Sequence, residues 1–238
     1  MLENFKNFFK KKVDQRDVIL TIHGFGVRRE NEMDELVEYA KNHSMEIVTF
    51  NLFEIEGKKD DDYKIWVKRA EEMMQKMIQE NRRIYLVGFS MGGVIASHLA
   101  SHYPIEKLIL VAPAFIHFSL ENYTNLAIKK GKQLISSSEN KAASMPSTYY
   151  SAFLNCVKAY KNDISKVLCP VLILQGDCDE VIPVRSSEWA YEQIPHFNKR
   201  CVFLHEGKHR LLSDEKVKDV AFLLMDDFIH DKLLKSQD

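Results

Sequence analysis

Residues 84–93 read Ile84-Tyr85-Leu86-Val87-Gly88-Phe89-Ser90-Met91-Gly92-Gly93. A short apolar run ends at Gly88, Ser90 stands two residues further on, and helix-compatible residues run from Val94 to Ala100. This is G-x-S-x-G in a strand–turn–helix setting. A chain that turns from strand to helix this sharply holds its serine in a strained backbone conformation, with Oγ raised above the sheet. Only residues without bulky side chains fit two positions before and after it, which accounts for Gly88 and Gly92. The alternative, a glycine-rich turn around a solvated serine, leaves the apolar run and the helix unexplained.

A nucleophilic serine needs a base, a group that orients the base, and donors for the developing oxyanion. The apolar run Val171-Leu172-Ile173-Leu174 leads into Gln175-Gly176-Asp177-Cys178-Asp179-Glu180. A carboxylate just past a parallel strand lies on the face where α/β folds place their chemistry. Asp177 follows Gly176 directly and is suited to shaping the turn. Asp179 lies further out and can turn back, so it is favoured over Asp177 as the orienting acid. Glu180 is expected to be solvated.

The base is sought among nine histidines. His98 and His102 lie one turn apart on the helix after Ser90 and point away from its start. A metal pair at that spacing needs a third ligand; none is apparent, so they read as a helix face. His43 sits at a predicted helix end, His117 and His196 lie near predicted loops, and His230 is in the tail. His205 ends the apolar run Cys201-Val202-Phe203-Leu204 and is expected inside a strand. His209 follows Glu206-Gly207-Lys208, in a loop at that strand's C-terminal end, and is favoured over His205.

Two places offer oxyanion donors. The Met91 N–H follows the nucleophile and opens the helix. The turn His23-Gly24-Phe25-Gly26 follows the run Asp17-Val18-Ile19-Leu20-Thr21-Ile22, and its glycines let the Phe25 N–H face the site. One such donor contributes about 3 kcal/mol to the transition state. His23 is read as bracing this turn through hydrogen bonds.

On these pieces the chain resembles the α/β-hydrolases, and within them is similar to small bacterial monoacylglycerol-lipase-like carboxylesterases. They are Leu20-Thr21-Ile22-His23-Gly24-Phe25-Gly26, Gly88-Phe89-Ser90-Met91-Gly92-Gly93, Gln175-Gly176-Asp177-Cys178-Asp179 and Gly207-Lys208-His209, and the resemblance spans residues 17–232. It implies a triad of Ser90, Asp179 and His209, an oxyanion hole from Phe25 and Met91, a small-molecule ester substrate and no cofactor. The chain departs from the family pattern in carrying Lys208 beside the histidine, in Arg28 and Arg29 after Phe25, and in lacking Gly-His-Gly after the second strand. Arg28, Arg29, Lys208 and Arg210 at the mouth would favour an anionic substrate; solvated surface charges are the preferred reading.

At 238 residues the chain suffices for one α/β domain with a sizeable core. A net charge of −1 gives no electrostatic footprint for nucleic acid. Four cysteines without a C-x-x-C pair suit reduced thiols and a cytoplasmic protein, with Cys178 a spacer in the acid turn. The start, Met1–Val13, is apolar and basic but lacks the h-region of a secretory signal; a strand or helix over the sheet edge is expected there in preference to an amphipathic membrane foot. No run reaches the ~18 apolar residues of a membrane span, so stable membrane insertion is not expected.

Apolar β-branched runs alternate with helical patterns, which predicts a mostly parallel sheet with helices on both faces. Strands are expected near 17–22, 46–52, 83–88, 107–112, 170–175 and 200–205, and helices near 31–43, 61–80, 91–103, 185–194 and 214–232. Asp60-Asp61-Asp62 suits the positive end of the second helix and calls for no metal. The interval 115–167 breaks the alternation and is too long for an ordinary connection. It is expected to be a small helical cap inserted into a single domain. Its aromatics, among them Phe115, Phe118, Tyr123, Tyr149, Tyr150 and Phe153, are expected to pack the cap onto the sheet rather than line an acyl pocket.

Overall fold

The structure is a computed structural model; it describes residues 16–26, 32–55, 59–116 and 146–233. The N-terminal segment, Arg28 and Arg29, His117, Phe118, Tyr123 and most of the expected cap lie outside the described residues.

Six strands form one sheet in the order β2-β1-β3-β4-β5-β6, every neighbouring pair parallel. They are β1 (Asp17–Ile22), β2 (Glu46–Val48), β3 (Arg83–Phe89), β4 (Lys107–Val111), β5 (Val171–Gly176) and β6 (Lys199–Leu204). The middle strands read as continuous apolar runs because parallel strands are covered on both faces. Val18, Leu20, Leu108, Leu110, Val171 and Ile173 enter one core, and their chain neighbours Ile19, Ile109, Val111, Leu172 and Leu174 enter the other. This period of two serves two cores at once.

The helices divide between those faces. The first core takes α2 (Tyr63–Gln79), α3 (Met91–Ala100), α4 (Ser147–Tyr160) and α5 (Arg185–Gln193), through residues such as Trp66, Val94, Phe153 and Ala190. The second takes α1 (Asp34–Asn42) and α6 (Lys218–Ile229), through Leu36, Ala221, Phe222 and Met225. Among the described residues no helix is long and apolar enough to cross a membrane.

The ends of β2 and α3 differ from expectation for identifiable reasons. β2 stops at Val48, not at 52, because the Leu52 N–H turns inward to His23 Nε2 at 2.9 Å instead of joining a ladder. α3 ends at Ala100, since Pro104 disfavours helical backbone at the residue before it. Of the three acids before α2, only Asp62 caps the helix, its carboxylate accepting the Lys64 N–H at 2.9 Å. Asp60 is buried and takes the Glu54 N–H at 2.9 Å and the Arg69 guanidinium.

The described part of the expected cap is α4 and the 3₁₀ turn Lys161–Lys166 that continues it. Tyr149 ties α4 to the β2–α2 connection: its hydroxyl accepts the Asp60 N–H at 3.0 Å and donates to the Glu54 carbonyl at 2.7 Å. Phe115, Tyr149, Tyr150 and Phe153 are all buried. The order β2-β1-β3 makes the chain reverse direction across the sheet between β1 and β3. Open α/β sheets bind ligands beyond the strand ends at such a switch point.

Candidate active site

Ser90 lies at this switch point, between the end of β3 and the start of α3. Its backbone has φ 54° and ψ −118°, a region costing a non-glycine residue about 1–3 kcal/mol. The surroundings over-determine it. The Ser90 N–H donates to the Val111 carbonyl at 2.9 Å, and its carbonyl accepts the N–H groups of Gly93 and Ala114, each at 3.0 Å. A Cβ on Gly88 would stand 2.6 Å from the Gly92 carbonyl, and one on Gly92 only 2.1 Å from the Ile22 carbonyl. α3 therefore packs against the end of β1 through bare backbone.

That contact brings the β1 turn to Ser90. A Cβ on Gly24 would lie 3.1 Å from Ser90 Cβ. His23 braces the turn from within: Nε2 accepts the Leu52 N–H, so Nδ1 carries the proton and donates to the Gly24 carbonyl at 2.7 Å. The Gly24 N–H donates to Glu32 at 2.8 Å. The Phe25 ring stacks on Phe153 with centroids 5.2 Å apart and also meets Phe53, Trp66 and Tyr150. Aromatic packing of this kind fixes where the Phe25 backbone stands. Met91 is the first residue of α3, and first-turn N–H groups have no acceptor within the helix.

The candidate acid and base, Asp179 and His209, meet across the ends of β5 and β6. Asp179 Oδ2 lies 2.9 Å from His209 Nδ1, and the Asp179 side chain is fully buried. Its oxygens are otherwise surrounded by donors. Oδ1 accepts the Val181 and Ile182 N–H groups at 2.8 Å each, and Oδ2 also accepts Gln175 Nε2 at 2.8 Å. A carboxylate held by this many donors is fixed in orientation. The His209 ring packs against Phe89, the residue before Ser90, with centroids 5.0 Å apart. The two loops are pressed together at glycines, since a Cβ on Gly176 would lie 2.1 Å from the Gly207 carbonyl.

Gln175 went unnoticed in the sequence. It is fully buried at the end of β5, with Oε1 accepting the Ser187 hydroxyl at 2.8 Å while Nε2 reaches Asp179. The available signal was a polar residue closing an apolar strand two positions before the acid turn.

The rival pair stands apart. His205 lies just beyond β6 rather than inside it, with its side chain 89% exposed and Nδ1 2.8 Å from Asp177 Oδ2. Asp177 also accepts the Glu206 N–H at 2.7 Å and so shapes the turn. His205 holds the Asp177 carboxyl below its ordinary range, and Asp177 pushes the Cys178 thiol up. Glu180 is not simply solvated: Oε2 accepts the His209 backbone N–H at 3.3 Å. His98 and His102 are not a bare helix face either, for Asp163 stands beside them.

Residues 18–211 match the model of a family described as an uncharacterised protein family, UPF0227. A stretch of 121 residues is 30% identical to monoacylglycerol lipase ABHD6 of Bos taurus and 29% identical to that of Homo sapiens. It covers 48% of this chain and 35% of each relative, so the match spans about a third of their length. Among solved structures, one from a study of two metagenome-derived lipolytic enzymes, LipS and LipT, superposes with a TM-score of 0.74 at 18% identity, covering 91% of this chain and 94% of that one. A monoacylglycerol lipase of Paleococcus ferrophilus gives 0.69 at 12% identity over 90% and 94%. A soluble variant of monoglyceride lipase from Saccharomyces cerevisiae gives 0.69 at 18% identity over 93% and 88%. These likenesses establish the α/β-hydrolase fold, as expected from the G-x-S-x-G turn and the strand–helix alternation.

Proposed function

The chain belongs to the uncharacterised protein family UPF0227, and from that premise we propose that it is a serine hydrolase cleaving carboxylic esters through an acyl-enzyme on Ser90. The observation that carries this reading is the hydrogen bond between buried Asp179 and His209 Nδ1 at 2.9 Å, with His209 packed against the residue preceding a strained Ser90. The relatives named as monoacylglycerol lipases add weight to an ester as the substrate.

In this mechanism Ser90 Oγ attacks the ester carbonyl carbon while His209 Nε2 takes its proton. Asp179 holds the proton on Nδ1, which keeps Nε2 available as the acceptor, and offsets the imidazolium charge. The Phe25 and Met91 N–H groups take the oxyanion. Collapse of the tetrahedral intermediate expels the alcohol, which leaves with the proton from His209. Water then attacks the acyl-enzyme with His209 again as base, releasing the acid and restoring Ser90. The whole chain is read as one domain, with residues 115–167 as a cap whose base is α4.

The test is twofold. Wild-type protein should be labelled by a fluorophosphonate probe and should turn over nitrophenyl esters, and Ser90→Ala should lose both. A fall of several orders of magnitude is expected, as for other triads. Residual turnover above a few per cent in a folded, uncontaminated Ser90→Ala preparation would remove Ser90 from its role. Acyl-CoA and amide substrates tested in parallel separate ester cleavage from thioesterase or amidase action.

A further inference from the structure

The outer end of α3, far from Ser90, carries a cluster that the proposed reaction does not use. His98 and His102 stand one turn apart on α3, with ring centroids 4.6 Å apart. Asp163, from the 3₁₀ turn that follows α4, places Oδ2 2.7 Å from His98 Nδ1. One donor atom from each of the three residues lies within 4.8 Å of the others. Glu71 of α2 approaches from the opposite side, with Oε1 3.7 Å from His98 Nε2. Lys166 holds the other Asp163 oxygen at 2.7 Å.

We propose that His98, His102 and Asp163 form a binding site for a borderline divalent cation, Zn²⁺ in the first instance, that staples the turn after α4 to α3. Two imidazoles and a carboxylate are a donor set suited to Zn²⁺, with water as the fourth ligand, and Glu71 adds negative charge behind His98. At metal–ligand distances of about 2.0–2.2 Å, tetrahedral donors stand roughly 3.3 Å apart. The cluster therefore closes on a cation by side-chain shifts of about 1 Å, most of them in exposed His102. With neutral imidazoles, Asp163, Glu71 and Lys166 leave one net negative charge, so a dication is not repelled. The ligands come from separate elements, and Asp163 is continuous with α4, so cation binding adds a cross-link between α4 and α3. Eight residues of helix put His98 roughly 12 Å along the axis from Ser90. The cation is thus structural and does not enter the ester chemistry.

The test uses the full-length protein freed of metal by a chelator. Calorimetry with Zn²⁺ and visible absorption with Co²⁺ should each give one equivalent per chain. Zn²⁺ at about 100 times its Kd should raise Tm by roughly 5–10 °C. His102→Ala, at an exposed position, should weaken binding at least about tenfold, and His102→Ala/Asp163→Asn should abolish it together with the Tm rise. A Cys178→Ser/His205→Ala variant removes an exposed thiol and an exposed imidazole away from this cluster and should bind as wild type does. The proposal fails if no binding occurs below about 100 µM, if binding survives His102→Ala/Asp163→Asn, or if it is lost from Cys178→Ser/His205→Ala instead. Circular dichroism of each variant verifies the fold, and where the double variant folds poorly His102→Ala alone decides.

Discussion

Asp179→Asn separates the orientation of the base from the stability of the fold, because the Asp179 carboxylate receives only donors. The Val181 and Ile182 N–H groups at Oδ1 belong to the backbone and cannot become acceptors. The asparagine must therefore keep its carbonyl towards them and place its NH₂ where Oδ2 stood. There it meets Gln175 and His209. Gln175 adapts by an amide flip: the Ser187 hydroxyl at its other end accepts as readily as it donates, and the long Nε2 bond to the Gly176 carbonyl at 3.3 Å is given up. His209 adapts only by giving up the proton on Nδ1, and neutral imidazole then carries it on Nε2. That nitrogen no longer accepts the proton of Ser90. A loss of about 10⁴ in kcat/KM is expected, as in the serine-protease precedent, which corresponds to roughly 5.5 kcal/mol. Stability should fall by only about 1 kcal/mol, since most hydrogen bonds are remade. Ester turnover and thermal melting on the same preparations read the two effects separately. Activity within tenfold of wild type in folded Asp179→Asn, or a larger loss in Asp177→Asn, would refute the assignment of the acid.

Gly92→Ala should destabilise the fold by at least about 1–3 kcal/mol, measured by denaturant melts, because the new Cβ strikes the Ile22 carbonyl 2.1 Å away. His205→Ala should leave kcat/KM within about twofold. The His205 pKa is raised by Asp177, so the stability this pair adds is full below the ordinary histidine value near 6.5 and fades as pH rises through the higher folded value. Titrating Tm against pH in wild type and His205→Ala should show that fading in wild type alone. An aromatic disulfide reagent at pH 8 should find one of the four thiols in the native protein, Cys178, and all four after denaturation. Burial pushes Cys156, Cys169 and Cys201 up to about 12. The Cys178 reaction should quicken in Asp177→Asn, which removes the carboxylate that raises its pKa.

The order of strands and helices was legible in the sequence because burial on both faces of a parallel sheet writes an unbroken apolar run, and helices between such runs write a different period. Gly88 and Gly92 were legible for a related reason: the close approach of α3 to β1 leaves no room for a Cβ, and that restriction falls on local residues. The preference for Asp179 and His209 rested on where loops leave a sheet, which topology alone supplies. Glu180 and His205 were misjudged because their partners, the His209 N–H and Asp177, lie 29 and 28 residues away. No local pattern encodes a hydrogen bond across that separation.

The chain's own order of residues thus determined the elements, the strained serine and the side of the sheet on which the candidate site stands. Each is a consequence of backbone sterics and hydrophobic period, which act between near neighbours. Tertiary structure decided what only distant contacts can. It set Gln175 behind Asp179 and anchored Phe25 among Phe53, Trp66 and Phe153. It also carried Asp163 from the turn after α4 to His98, 65 residues away. Spacing along α3 could suggest two ligands, but the third comes from another element, and only the packing of both elements into the first core brings it there.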